Sequence, residues 1–213
     1  MPKKNRVTPN GEIIASTARG SYMGNRGVLH DYKGELTAKR WTHQQWIICL
    51  LKFKGRKRQL MAPGCYTELF FLDEATALAA GHRPCWECNR ERYTHFKYAW
   101  LAGNPEYDFD ARTSIKDIDK VLHSERVDRF KKKPTWSSAL SALPNGVMVS
   151  LPDGGDASYL VNDGQLRLWS PGGYGQPQAV AGDIKVSVLT PLSTVNAILA
   201  GYEVQLFDLE ASR

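Results

Sequence analysis

The sequence predicts an α+β fold: an N-terminal antiparallel meander with helices around a cysteine knuckle, then a small β-rich domain. Three observations predict it. An apolar run, WIICLLKF at 46–53, reads as a strand covered on both faces. An Ala-rich stretch, DEATALAA, leads through Gly81 and Pro84 into Cys85-Trp86-Glu87-Cys88. From 144 onward, Gly and Pro punctuate short strand-like runs.

With 213 residues, 42% of them apolar, the chain can bury a core and fits one large or two small domains. A soft boundary at 134–143 divides it into 1–133 and 144–213. No run of 18 apolar residues predicts a membrane span. The opening MPKKNRVTPNGEII lacks the apolar centre of a secretory leader, so the expected location is cytoplasmic. Four cysteines in that compartment read as free thiols or metal ligands before disulfides.

The net charge is +6, and its distribution is uneven: residues 1–60 hold 13 Lys/Arg against 3 Asp/Glu, the rest 15 against 19. Clustered cations gain affinity for polyanions by releasing counterions. This points to a nucleic-acid partner, with DNA favoured. A solvated basic surface is the plainer reading of the same charges. The candidate contacts are Arg26, Lys54, Arg56, Lys57, Arg58, Arg83 and Arg90.

In order along the chain, residues 1–34 carry Gly20, Gly24, Gly27 and Gly34, a density that favours loops a ligand can approach or a flexible basic arm. Arg19, Arg26 and His30 could line a phosphate contact there, although no nucleotide-binding fingerprint is present. The meander has strands expected at 46–53, 58–61 and 66–72, joined by Lys54-Gly55-Arg56 and Ala62-Pro63-Gly64. Asp73 caps a helix, Gly81 ends it in the left-handed region and Pro84 bars its continuation. A second helix is expected over 89–101, with Tyr93, Phe96 and Trp100 on its apolar stripe. A third runs from Thr113 or Ser114 to about Phe130, carrying His123, Glu125 and Arg126 within one turn. Beyond 144, strands are expected at 147–151, 159–161, 165–169 and 184–189, with an Asn162-Asp163-Gly164 hairpin turn. These suggest a small barrel or curled sheet. A helix capped by Ser193 and a last strand at 203–207 complete the chain.

Zinc prefers tetrahedral thiolate and imidazole ligands, and a Cys-x-x-Cys knuckle supplies two thiolates facing one point. The candidate set is Cys49, Cys65, Cys85 and Cys88, with His43 and His95 as substitutes. Alternatively, Cys49 is a small apolar core residue and Cys65 an incidental thiol beside a turn. A thioredoxin-like role for the knuckle is weaker, because that motif opens a helix after a strand and this pair follows a helix. A hydrolytic centre needs an acid/base cluster, for which His30, Asp31, His123 and Glu125 are candidates. Trp41, Trp46, Trp86, Tyr93 and Trp100 could stack on bases, or simply form core.

The stretch ALAAGHRPCWECNRER, after a strand ending Phe70-Phe71, resembles the metal-binding domain of the Ada family of alkylated-DNA repair proteins. The resemblance covers about 66–92 and rests on Gly81, Arg83, Pro84, Cys85 and Cys88. His82 stands where that family has an aromatic residue. TELFFLDEATALAAGHRPC is also similar to an uncharacterised bacterial family. The Ada resemblance implies that the knuckle cysteines bind zinc together with an earlier cysteine pair. It also implies that one thiolate of the earlier pair accepts a methyl group from DNA phosphotriesters. The family spaces that pair as Cys-x-x-x-Cys; here Phe53 stands four after Cys49, and Cys65 follows 16 residues after Cys49. Three readings result: a nucleic-acid-binding zinc protein, an enzyme acting on DNA (a nuclease-like hydrolase or a thiolate methyl acceptor), and a structural zinc module for protein interaction.

Overall fold

The computed structural model describes residues 2–57, 59–180 and 183–209. It is a mixed α+β structure. Six short strands, β1 (Lys4–Val7), β2 (Ile13–Ala15), β3 (Tyr22–Asn25), β4 (Ile47–Leu50), β5 (Leu69–Phe71) and β6 (Arg83–Pro84), form the first sheet in the order β2-β1-β5-β3-β4-β6.

This sheet differs from the expected meander. β4 and β5 do not flank a strand at 58–61; they flank β3, whose Met23 lies opposite Cys49 on one side and Phe70 on the other. Residues 59–61 form no strand, and Arg58 lies outside the described residues. Lys54 and Gly55 turn the chain with φ of 48° and 66°, and the charged run that follows offers no alternating apolar face to bury. The glycine-rich opening supplies three strands rather than an arm or loops. A Cβ on Gly24 would lie 2.2 Å from the Ile47 carbonyl oxygen and 2.9 Å from the Phe71 ring. Close strand approach, not loop freedom, requires that glycine.

Helix α1 (Glu74–Ala79) begins as expected, with the Asp73 carboxylate accepting from the Thr76 amide at 2.9 Å. Every residue of α1 is buried. Glu74 tolerates burial because its carboxylate takes bonds from the Tyr202 hydroxyl, Arg92 and the Gln205 amide. Gly81 ends this segment with φ of 84°, and a Cβ there would meet Arg126 Cδ at 2.5 Å. The chain then runs as β6 parallel to β4, Ile47 opposite Arg83 and Ile48 opposite Pro84. Helix α2 (Arg90–Gly103) is capped by Asn89 and buries Phe96 and Trp100.

Helix α3 (Ile115–Arg126) stops four residues short of the expected Phe130. Val127 is extended, and the Asp128 carboxylate accepts from the amides of Phe130 and Lys132 at 2.8 and 2.7 Å. That side-chain turn competes with helix continuation.

The second sheet is antiparallel throughout. It comprises β7 (Trp136–Ala139), β8 (Met148–Ser150), β9 (Tyr159–Asn162), β10 (Gln165–Ser170), β11 (Gly173–Gln178) and β12 (Lys185–Val188), in the order β11-β10-β9-β8-β12-β7. Asp163 and Gly164, both at positive φ, make the expected two-residue hairpin. β7 and β11 were not expected, since Ser137-Ser138 and a Gly/Pro/Gln segment carry weak strand signals. Helix α4 (Leu192–Leu199) follows. The expected last strand at 203–207 is absent. That segment instead ties to the start of α1, the Gln205 and Phe207 amides donating to Glu74 and Asp73 at 2.9 and 3.1 Å. Carboxylates satisfy its amides, so it needs no sheet neighbour.

Phe96, Trp100, Ile118 and Leu122 of α2 and α3 share one core with Val149, Val161, Val186 and Val188 of the second sheet. Ala75 and Ala79 of α1 pack with Met148, Leu160 and Tyr174, while Ala77 and Ala80 pack with Ile48, Leu69 and Phe71. The short helix therefore contacts both sheets. Among the described residues no helix is long and apolar enough to cross a membrane.

Candidate metal centre and the cation cluster behind it

The parallel pairing of β4 and β6 builds the thiol site. Cys49 is the third residue of β4, and Cys85 follows β6 directly, its amide donating to the Ile48 carbonyl at 2.9 Å. The Arg-Pro corner then turns the chain so that Cys88, just before the α2 cap, returns to the same point. The sulfurs of Cys49, Cys85 and Cys88 lie within 4.8 Å of one another. Four ligands on zinc at about 2.3 Å stand about 3.8 Å apart, so small adjustments complete the geometry. Three soft thiolates are a donor set suited to zinc and poorly suited to magnesium or calcium.

The thiols perturb one another. Hydrogen bonds from Cys49 and Cys88 hold the Cys85 thiol far below its ordinary value. Cys49 moves the opposite way, raised by its bonds to Cys85 and Cys88 and by burial. For Cys88, the bond to Cys49 lowers the value, but Cys85 and burial outweigh it and the net shift is upward. A divalent cation would take the place of the shared protons and offset both the burial and the mutual repulsion of the thiolates.

The cluster borders a cavity of about 430 Å³. Met23, Phe53, Arg56, Lys57, Glu68 and Glu87 contribute to its wall. Arg56 pairs with Glu87 at 2.5 Å and lies 5.2 Å from the Phe53 ring centroid. Glu68 is buried; its Oε2 accepts from the Met61 amide at 2.7 Å, while its Oε1 has no partner among the described residues.

Cys65 is not brought into the cluster. It is exposed, in a turn closed by its amide on the Ala62 carbonyl at 3.0 Å. His43 is exposed before β4, and His95 bonds the Gly201 carbonyl through Nε2 at 3.1 Å. The hydrolytic candidates likewise stay apart. His30 is buried between Thr67 Oγ1 and the Ala62 carbonyl, at 2.7 and 3.1 Å. Asp31 closes its own turn, accepting from Lys33 and Glu35. Glu125 holds the amide and hydroxyl of Ser193, and His123 packs its ring against Trp41 and Trp46. Among the described residues the three cysteines form the one cluster of metal-ligand spacing.

The basic candidates divide in two. Lys54, Arg56, Lys57 and Arg90 are exposed near the thiol site, Arg90 over the Trp86 ring at 4.5 Å, with Trp86 52% exposed. Arg83 is buried and committed to Asp119, with Nε and Nη2 each 2.7 Å from a carboxylate oxygen. Arg26 is buried too, and Arg58 lies outside the described residues. A buried, paired guanidinium is not offered to an external polyanion, which removes Arg83 from the expected contacts. Of the aromatic candidates, Trp46 and Trp100 are core, Trp41 and Tyr93 are half-buried, and Trp86 is the exposed one to which base stacking is most open.

Sequence reasoning missed a cluster at the other end of β4, where Trp46 precedes the strand. Three residues along a strand separate it from Cys49 by about 10 Å. Arg26 and Arg126 both stack on the Trp46 ring, their Cζ atoms 4.2 and 4.3 Å from its centroid. Arg26 donates to the Gly11 carbonyl at 2.9 Å and to His82 Nε2 at 3.3 Å; Arg126 donates to the Gly81 carbonyl at 2.5 Å and to that of Gln44. Lys133 donates to the Ala79 carbonyl at 2.5 Å. No carboxylate pairs with Arg26, Arg126 or Lys133 among the described residues. Burial lowers both guanidiniums to about 9; for Arg126 the Asp119 charge opposes the shift and Arg26 and Arg83 add to it, while for Arg26 the Arg40 charge adds to it and Glu12 opposes it. Burial, then Arg26 and Arg126, lowers the Lys133 ammonium to about 7. The cations come from 26, 126 and 133, so no local motif could reveal them.

Compared with known proteins, the chain matches no family model, no curated protein and no solved structure.

Proposed function

We propose that Cys49, Cys85 and Cys88 hold a zinc ion whose fourth coordination position faces the adjoining cavity, and that the exposed cations around this cavity engage nucleic acid. The observation that carries the reading is the convergence within 4.8 Å of three sulfurs, one on β4 and two from the turn between β6 and α2. The Ada-type resemblance of 66–92 supports it, since that family joins its knuckle to an earlier cysteine pair, of which Cys49 stands in for one member here. The cation supply supports the partner: Arg56 and Lys57 line the cavity, and Lys54 and Arg90 are exposed. Trp86, exposed and already stacked with Arg90, offers a platform for a base.

Binding of a fluorescent oligonucleotide across a salt series tests the partner. Affinity is expected to fall steeply, roughly 10²-fold between 50 and 200 mM salt for four phosphate contacts. Lys54→Glu, Arg56→Glu and Lys57→Glu together are expected to weaken binding and flatten the slope. Binding insensitive to salt, or unchanged in the triple variant, contradicts the nucleic-acid reading and leaves the metal site standing.

The cavity favours a second reading, in which a zinc-bound thiolate is itself reactive. Structural zinc sites are closed by four protein ligands, whereas three ligands beside a cavity leave room for a substrate. A thiolate sulfur would attack the methyl carbon of a DNA phosphotriester. The S–C bond forms as the C–O bond breaks, and the phosphodiester leaves as its anion. The resemblance leaves Cys49 or Cys65 as the acceptor; mass spectrometry after incubation with methylated DNA is expected to show one added methyl on Cys49, the one of the two that lies in the cluster. An unmodified protein rules this chemistry out.

A further inference from the structure

We propose that the cleft walled by Arg26, Arg126 and Lys133 is a phosphate-binding site. The cleft also takes in Arg40, Lys131 and the Trp46 ring, and no acidic side chain lines it. Arg26 Nη2 and Arg126 Nε are buried donors with no partner among the described residues. The other bonds of these two guanidiniums go to backbone carbonyls and to histidine nitrogens of His82 and His123. Those acceptors satisfy N–H groups but supply no negative charge.

Burying like charges together without a counterion is costly, and proteins avoid it unless the site binds an anion. Of the nearby carboxylates, Glu12 pairs with Arg40 at 2.5 Å and Asp119 with Arg83 at 2.7 Å, while Glu125 bonds the neutral Ser193 and offsets part of the charge on Arg126 and Lys133 without pairing with either. A water could fill the two open donors but could not offset the charge. The cleft holds about 10 Å³, close to one water-sized sphere. It therefore admits one oxygen of a phosphate group, leaving the others at the rim towards Lys131 and Arg40. Planar guanidiniums and an ammonium are the usual partners of such oxygens.

The site uses none of Cys49, Cys85 and Cys88, so its failure would leave the zinc reading intact. Calorimetric titration of the full chain with sodium phosphate, against sodium chloride of matched ionic strength, tests it. Expected are one phosphate per chain, a melting temperature raised by phosphate and not by chloride, and about tenfold weaker binding in Lys133→Met. Lys131→Met, at the rim, is expected to weaken binding less. These two lysines are the diagnostic positions, because Arg126 also bonds the Gly81 and Gln44 carbonyls and its loss disturbs the fold. Phosphate that acts no differently from chloride, or that binds Lys133→Met as tightly as the natural chain, overturns the proposal. Competition then separates the sources of the group. A 5′-phosphorylated oligonucleotide that displaces phosphate where its 5′-hydroxyl counterpart does not assigns the site to a nucleic-acid end; displacement by neither assigns it to free phosphate.

Discussion

Cys85→Ser is expected to lower zinc affinity by more than about 100-fold and to lower the melting temperature of the zinc-loaded protein. Removing a group that merely supports a ligand costs 10- to 100-fold, so removing one of three thiolates costs more. Cys85 is the buried member of the cluster, and its amide is part of the β4–β6 pairing through Ile48. A metal held there would clamp the start of the α2 segment to the edge of the first sheet. Metal binding to the native state adds directly to folding free energy, so a strong chelator is expected to lower the melting temperature of the natural chain. Its effect on Cys85→Ser should be smaller. Cys65→Ser serves as the control, because its exposed thiol lies outside the cluster.

The second large effect is expected far from any thiol. Asp119→Ala should destabilise the protein by about 3–5 kcal/mol, read as a fall in the urea midpoint. The Arg83–Asp119 pair is 5% and 1% exposed and bidentate, so the variant leaves a guanidinium charge buried without a partner. Arg83 is also the first residue of β6, and its amide donates to the Trp46 carbonyl at 3.1 Å. Through this pair α3 fixes the strand that delivers Cys85. The same variant should therefore weaken zinc binding without touching a ligand. The double variant Arg83→Met, Asp119→Leu is expected to lose less stability than Asp119→Ala, since an apolar pair leaves no orphan charge. Equal losses in the two would mean that the pair acts by packing alone.

Local signals in the sequence were legible and distant pairings were not. Asp73, Gly81 and Pro84 announced the short helix, its stop and the corner, because each acts through its own backbone. The Asp163-Gly164 hairpin was legible for the same reason. The knuckle cysteines were legible as a pair, and Cys49 joined them because a parallel strand pairing sets it beside Cys85. Cys65 shared their residue type, but its turn ends in exposed chain and nothing in composition reveals that. β3 escaped notice because its glycine reads as a loop, whereas Gly24 serves the close approach of Ile47 and Phe71. Arg26 was singled out as a phosphate or nucleic-acid contact in a glycine-rich loop; it is buried on Trp46, together with Arg126, which no local pattern shows. Charge counts along the chain cannot tell a solvated cation from a buried one.

X-ray absorption at the zinc edge, on the natural chain and on Cys65→Ser, tests the metal centre most directly. The predicted result is one zinc per chain, with three sulfurs at about 2.3 Å and one lighter atom in the fourth position. That spectrum should be the same in both proteins. A chain that binds no zinc, or a four-sulfur shell that loses one sulfur in Cys65→Ser, would contradict it.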